Sequence, residues 1–306
     1  MAQTRGTFAA LYDNRDKIVY GLLGEQLKKL PAIHEKYFNL ETSDRKFETT
    51  TGSAGFTTVP EKAEGAVYTT DIIQEGYSKN FTHTEFGLMF EATLTAEEDD
   101  QYDVLKKNTK WLAFCLRYVW EQRAANVFNN GFGTELTADG SALFSTTHPL
   151  VRGGTASNRH ASDDDLSATS LMSAMVTLQT DTKLDSGQVV MPITDLTLLV
   201  PPALENTAYR LVKSEGLPGV ADNDKNPIKG LRSWTVIVNP LFTDTDAWFV
   251  LAGDKSLHGI KRYTRIPASL REPVNDPRTD NRLYKVRFRA SWGADFWQNA
   301  YGSSGS

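Results

Sequence analysis

The sequence predicts an α+β fold of two lobes, on three observations. One helical pattern runs from about Ala96 to Asn129. A strand at Leu196–Val200 stops at Pro201-Pro202 and gives way to helical spacing at Leu204, Ala208, Leu211 and Val212. Near the end, "RLYKVRFRASWGADFW" alternates, with Tyr284, Val286, Phe288 and Ala290 on one face and Lys285, Arg287 and Arg289 on the other. At 306 residues the chain is long enough for a large core.

The elements follow in order. Residues 5–40 read as an interrupted helical arm, with a narrow stripe of Phe8, Leu11, Ile18, Leu22, Leu23, Leu27 and Leu30 and a break at Pro31. Such an arm cannot bury itself alone and needs a surface to lie on. Residues 41–66 are polar, rich in Thr, Ser, Gly and Glu, with Pro60 and Gly65 at a turn; they read as a long projecting hairpin or loop. Residues 67–94 are rich in Thr, Tyr, Phe and Ile, which favours strand.

The long helix then opens on a capping box, Thr95 with Glu98. Leu105, Leu112, Leu116, Val119 and Val127 mark one face, and Val104, Trp111, Cys115 and Tyr118 an adjoining one, so contacts are expected on more than one side. Its span of roughly 50 Å suits the backbone of a domain. Residues 131–166 are irregular, and a second helix covers about Ser167–Thr182. Later strands fall at Trp234–Val238 and Trp248–Leu251. The end, "YGSSGS", reads as a disordered tail or an added, non-native scar.

Composition narrows the function. Hydrophobic content of 40% and charged content of 23% are those of an ordinary globular protein, and a formal net charge of −5 argues against a broad basic face for nucleic acid. The single cysteine, Cys115, cannot form an internal disulfide, which suits a reducing cytosol; it is expected to be a small buried hydrophobe. The start lacks the apolar core of a signal peptide, and no run of about 18 apolar residues marks a membrane helix.

Chemistry is scarce. His34, His83, His148, His160 and His258 show no metal-ligand spacing, and no phosphate loop is present. "GVADNDKNPIKG" lacks the Gly and Glu of a calcium loop and reads as a polar turn. His148 is the most enzyme-like residue, with Asp163 or Asp165 as a possible orienter, but no nucleophile elbow accompanies it; a turn held by hydrogen bonds is the plainer reading. The strand ending at Pro201-Pro202 carries no nucleophile or base and reads as a structural joint. No catalytic residue, cofactor site or metal site is expected. Long arms and projecting loops cost ordering entropy, and a self-assembling subunit recovers it by burying each extension on a neighbour.

At this point the chain resembles the major capsid proteins of tailed bacteriophages, with the Hong Kong 97-type fold, nearest the Mu-like major head subunit branch. "TTVPEKAEG" resembles the tip of the extended loop, and "EFGLMFEATLTAEEDDQYDVLKK" its return strand entering the spine helix. "DGSALFSTTHPL" resembles the segment after that helix, and "LTLLVPPALENTAYRLVKSEG" with "LRSWTVIVNPLFTDTDAWFVLAG" the axial core. The resemblance implies an amino-terminal arm (1–45), an extended loop (46–94), a peripheral domain with the spine helix (95–186), an axial domain (187–264) and returning peripheral strands with a carboxy-terminal tail (265–306). It implies intersubunit contacts at Pro60, Glu61, Lys62, Gly65 and Tyr68 of the loop, and contacts to a neighbour or the inner face at Phe8, Leu11, Leu22 and Leu27 of the arm.

The implied partners are the chain itself in hexamers and pentamers, a scaffolding protein, a portal, a decoration protein, and packaged double-stranded DNA without sequence specificity; no membrane is involved. The implied location is the virion capsid, assembled in the host bacterial cytoplasm. The family's founding member joins a lysine to an asparagine. Lys62 and Lys79, with Asn275 or Asn281, lie in suitable regions, but no motif matches the assisting carboxylate and cross-linking is not expected. The alternatives are an encapsulin-type shell, another phage assembly protein, or a hydrolase using His148.

Overall fold

A computed structural model of the chain describes residues 21–93, 104–189, 193–216, 225–271, 274–276, 278–279 and 281–305. Phe8, Leu11 and the capping box at Thr95 and Glu98 lie outside these. The arm's leucines form helix α1 (residues 21–29), which stops ahead of Pro31, a residue with no N–H to continue it. Leu23 is buried in a cluster with Leu112, Leu116 and Tyr284. A 3-10 turn at His34–Lys36 leads into strand β1 (Asn39–Thr42).

The polar stretch that follows is a hairpin, β2 (Phe47–Ala54) against β3 (Gln74–Thr82). The loop between them, 55–73, contains no strand. Past His83 the chain continues as β4 (Thr84–Ala92). Helix α2 (Val104–Asn129) is the longest described element.

Two expectations for α2 are corrected. Cys115 is exposed rather than buried, and the face bearing Trp111, Cys115 and Tyr118 is open in the single chain. The reason is geometric. In its first half α2 lies on a sheet along one side only, through Leu112, Ala113 and Leu116. In its second half the other lobe closes over it, and Ala124, Ala125 and Phe128 are fully buried.

Two short strands, β5 (His148–Pro149) and β6 (Thr155–Ala156), fold the segment after α2, and α3 (Ala168–Thr180) opens on a Ser167–Ser170 capping box. Strand β7 (Asp195–Val200) ends at the proline pair. A 3-10 turn (Pro202–Leu204) and α4 (Glu205–Lys213) follow, then the short α5 (Pro227–Leu231), β8 (Ser233–Val238) and β9 (Trp248–Ala252). The chain finishes with β10 (Ile260–Leu270), β11 (Val274–Asn275), β12 (Arg282–Ala294) and β13 (Ala300–Ser303).

Two main sheets result. In the first, β12 is central: β4 pairs along one edge, β10 and then β11 along the other, and β1 runs parallel beyond β10. The second runs β13-β9-β7-β8, with β7 and β8 parallel. Tyr284, Val286, Phe288 and Ala290 of β12 are buried against α2, as their alternation predicts. The second sheet buries Leu198, Val200 and Trp248 against α3 and α4. A third cluster, built on Tyr37, Phe38, Phe128, Phe144 and Phe249, joins the lobes.

The terminal segment is also corrected. Residues 265–306 do not end in a loose tail: Ala300–Ser303 pairs with β9 in the second sheet, and Tyr301 packs on Trp248 at 5.5 Å between ring centroids. Glycine at 302 is required there, since a Cβ would come within 2.6 Å of the Phe144 ring. Four residues of low hydrophobicity form a strand whose anchor is one tyrosine.

Candidate assembly surfaces

The hairpin is held at its base and free beyond it. Glycines let its strands approach: a Cβ at Gly76 would lie 2.7 Å from the Gly52 carbonyl carbon, beside the register shift at Thr51/Ser53. Lys79 Nζ donates to Glu135 Oε1 at 2.8 Å, Leu136 O at 2.5 Å and Ala294 O at 3.0 Å. Arg152 donates to Gly55 O at 3.0 Å, Ile72 O at 2.7 Å and Asp71 Oδ1 at 3.1 Å, clamping both legs where the loop leaves. The Thr57 N–H and hydroxyl bond Asp71 Oδ2 at 2.7 and 2.9 Å. With Arg152 they pull the Asp71 carboxyl down to about 2, against a small effect of burial.

Sequence reading missed Arg152, which sits in an irregular loop, and considered Lys79 only as a cross-linking residue. Its three acceptors make Lys79 a structural post.

Beyond the clamp the loop is open. Pro60, Glu61, Lys62, Gly65 and Tyr68 are all exposed, with Lys62 Nζ drawn over the Tyr68 ring at 4.7 Å and Gly65 at φ 74° in the turn. Val59 is 95% and Val67 92% exposed. Apolar side chains this bare stand on a segment with no core of its own.

The arm is fixed at its exit. His34 is buried; its Nδ1 lies 2.7 Å from Glu121 Oε1, and its Nε2 lies 2.5 Å from a guanidinium nitrogen of Arg262. Glu121 also accepts the backbone N–H of Ile33 and His34 at 3.1 and 2.9 Å. Arg262 stacks over Trp120 at 4.4 Å, and burial lowers its affinity for its proton. Arg117 donates to Leu27 O at 2.8 Å. Leu22 and Leu27 are half-buried, Leu27 on its own subunit's core.

His148 is placed for structure. Its ring is fully buried, stacked on Trp297 at 4.4 Å and 8°. Nδ1 lies 2.7 Å from Asp139 Oδ2 and Nε2 3.1 Å from Asn158 Oδ1. The two carboxylates considered as orienters are elsewhere: Asp163 pairs with Arg159, and Asp165 is not hydrogen-bonded to His148 among the described residues. Asp139 feels burial most, but bonds from His148, Thr137 and the Ser141 N–H outweigh it and hold its carboxyl below the ordinary range. Asn158 donates to Leu143 O and Trp297 O, so the group ties the irregular 135–160 segment to the chain end. No substrate-sized opening reaches a ring with no exposed surface. Among the described residues no group of three or more His, Cys, Asp or Glu could hold a metal ion, and no helix is long and apolar enough to cross a membrane.

Comparisons with known proteins agree with this architecture. The model of a family described as phage capsid protein matches residues 76–302. Among solved structures, the capsid of cyanophage P-SCSP1u is similar at TM-score 0.59 and 12% identity, over 89% of this chain and 87% of that one. The procapsid of bacteriophage JBD30 is similar at TM-score 0.54 and 16% identity, over 99% and 77%. A virus-like particle from Pyrococcus furiosus is similar at TM-score 0.53 and 11% identity, over 94% and 98%. At these identities the likenesses show the fold. Among curated proteins no significant match is found.

Proposed function

The chain belongs to the phage capsid protein family and is a major capsid protein that forms the phage head; from this premise we propose how its surfaces carry out that assembly. The observation that carries the proposal is the loop beyond Arg152. It is clamped at both legs and bare at its tip, with no core among the described residues for that tip to rest on. Residues Pro60, Glu61, Lys62, Gly65 and Tyr68 lie on a neighbouring subunit. The arm, from Phe8 and Leu11 to Leu22 and Leu27, docks on its own body and extends contacts to a neighbour or to the shell's inner side.

Copies join in hexamers and pentamers that close an icosahedral shell around double-stranded DNA, held without sequence specificity. The mild negative charge of −5 suits a wall that does not grip its contents. A separate scaffolding protein and a portal complete the head, which is assembled in the host cytoplasm. No catalysis is expected of the chain, and what supports this is that His148, its most enzyme-like residue, is spent on holding a loop.

Electron microscopy of the purified protein tests this reading. Closed shells are expected; tubes or small discrete oligomers would overturn it. Clean protein that turned over an ester or phosphoester, with the activity lost in His148→Ala, would overturn the non-catalytic reading.

A further inference from the structure

Where α1, α2 and β10 meet, the chain encloses a cavity of about 360 Å³. That is at the small end of ligand sites, which run from about 300 to 1,000 Å³. Leu27 of α1, Leu116 of α2, and Pro267 and Ala268 of β10 give it apolar walls. Four more of its lining residues, Arg117, Trp120, Arg262 and Thr264, each keep one buried polar atom without a hydrogen-bond partner among the described residues. These are the two arginine Nε atoms, the indole Nε1 and the threonine hydroxyl. Three are N–H donors and the fourth can donate. A buried donor that has left water and found no acceptor is a cost to the fold, and four around one cavity call for a shared acceptor.

The chain itself offers a poor one. Glu35 is the only carboxylate lining the cavity among the described residues. Its Oε1 lies 3.4 Å from a guanidinium nitrogen of Arg117 and 3.7 Å from one of Arg262, whereas a close charge-assisted bond measures roughly 2.7–2.9 Å. Its side chain is 41% exposed, so it can swing aside. The neighbouring Glu121 is already engaged by the His34 ring and by the backbone N–H groups of Ile33 and His34. Arg262, only 8% exposed, cannot turn to solvent for a partner.

We propose that the cavity binds a small monoanion, a carboxylate on a short apolar chain or ring. The carboxylate takes hydrogen bonds from the donors of Arg117, Trp120, Arg262 and Thr264, and the apolar end lies against Leu27, Leu116, Pro267 and Ala268. An ionised carboxyl presents about four acceptor positions, which suits that donor set. Leu27 belongs to the arm, so an occupied cavity also ties α1 to the body. The inference stands independently of how the loop and the arm meet other subunits.

Calorimetric titration of the purified full-length chain tests this, with sodium octanoate as the probe and octylammonium and octan-1-ol as controls of equal length. Octanoate is expected to saturate at one per chain, at least tenfold tighter than either control. No saturable octanoate binding overturns the proposal, and so does equal affinity for all three, which would mark a merely greasy surface. Two variants locate the site. Ala268→Phe fills the apolar end and leaves every charge in place; it should abolish octanoate binding while keeping the wild-type circular dichroism. Wild-type affinity in that variant puts the probe elsewhere and overturns the proposal. Should Ala268→Phe fail to fold, Thr264→Val decides, since it removes one donor at nearly constant volume. A severalfold weaker affinity supports the site and an unchanged one overturns it. Hydrogen exchange reads the link to the arm: octanoate should slow the amides of residues 22–29, and no change there overturns the coupling to α1.

Discussion

Burial decides what the histidines do. His258 is 3% exposed, and its Nδ1 accepts the Ile260 N–H at 3.3 Å. Burial is the main cause that pushes its imidazole down to about 4 from an ordinary 6.5. The sign follows from which form the fold shelters. The folded state holds the neutral ring, whereas the unfolded chain takes up a proton once pH falls below about 6.5. Stability is therefore complete above that value and declines as pH drops toward 4. By pH 5 the loss from this residue is about 2 kcal/mol. Thermal melts of wild type and His258→Gln between pH 7 and 5 check this: the wild type should lose the extra stability and the variant should not. Parallel slopes would mean that the ring is not held neutral. His148 shows the other use of burial. Its two partners, Asp139 and Asn158, make it a knot in the loop, and chemistry that needs access to a substrate has none there.

At the scale of elements, neighbouring residues on α2 lead opposite lives. Leu112 is 3% exposed in the sheet-facing core, and Trp111 beside it faces out. Leu112→Asp puts an unpaired charge among apolar side chains and should cost about 3–5 kcal/mol in urea unfolding of the subunit. Trp111→Asp should stay within about 0.5 kcal/mol. Equal effects would mean that the helix face has been misassigned.

This pair also shows what was legible. Periodicity located the helix and its buried side, since 112 and 116 repeat with 105 and 119. It could not say that 111, 115 and 118 would be left bare, because an apolar stripe looks the same whether its partner is in the chain or in another copy. The strand β12 was legible for a similar reason: one face is apolar and the other charged. Its neighbour β10 was not, because Arg262 points inward to His34 and two register shifts around Pro267 break the alternation. The loop's exposure was readable from composition; its posts, Lys79 and Arg152, were not, since their acceptors, backbone carbonyls together with the Glu135 and Asp71 carboxylates, are distant in sequence.

The arm's own prediction departs from a simple division of labour. Leu23 fills the same core as Leu112 and Tyr284, so deleting residues 2–30 should lower the melting temperature by several degrees, with shell yield falling as well. An unshifted melt would show that α1 contributes nothing to the subunit.

On the scale of the whole molecule the chain leaves two of its features open, the loop beyond Arg152 and the Trp111, Phe114 and Tyr118 face of α2. Between them lie two lobes that share the aromatic cluster of Phe128, Phe144 and Phe249. In its loop, though not in its arm, this subunit keeps folding and assembly energetically apart. The residues that fold it are inside, while residues 57–70 bury next to nothing and, among the described residues, are tied to the body through Thr57, Asp71 and Arg152. Deleting Pro60–Gly65 leaves that clamp whole. The shortened loop changes the closure entropy by only a few tenths of a kcal/mol, so the subunit's melt should move by no more than about 1 °C. Assembly should respond very differently if, as proposed, the loop lies on a neighbouring subunit, since each copy then loses that contact. The expected result is a soluble, folded subunit that sediments as a small species and gives no closed shells by electron microscopy. Shells of normal size and yield from the deletion would show that the loop is ornament and that the subunits are held by their bodies alone.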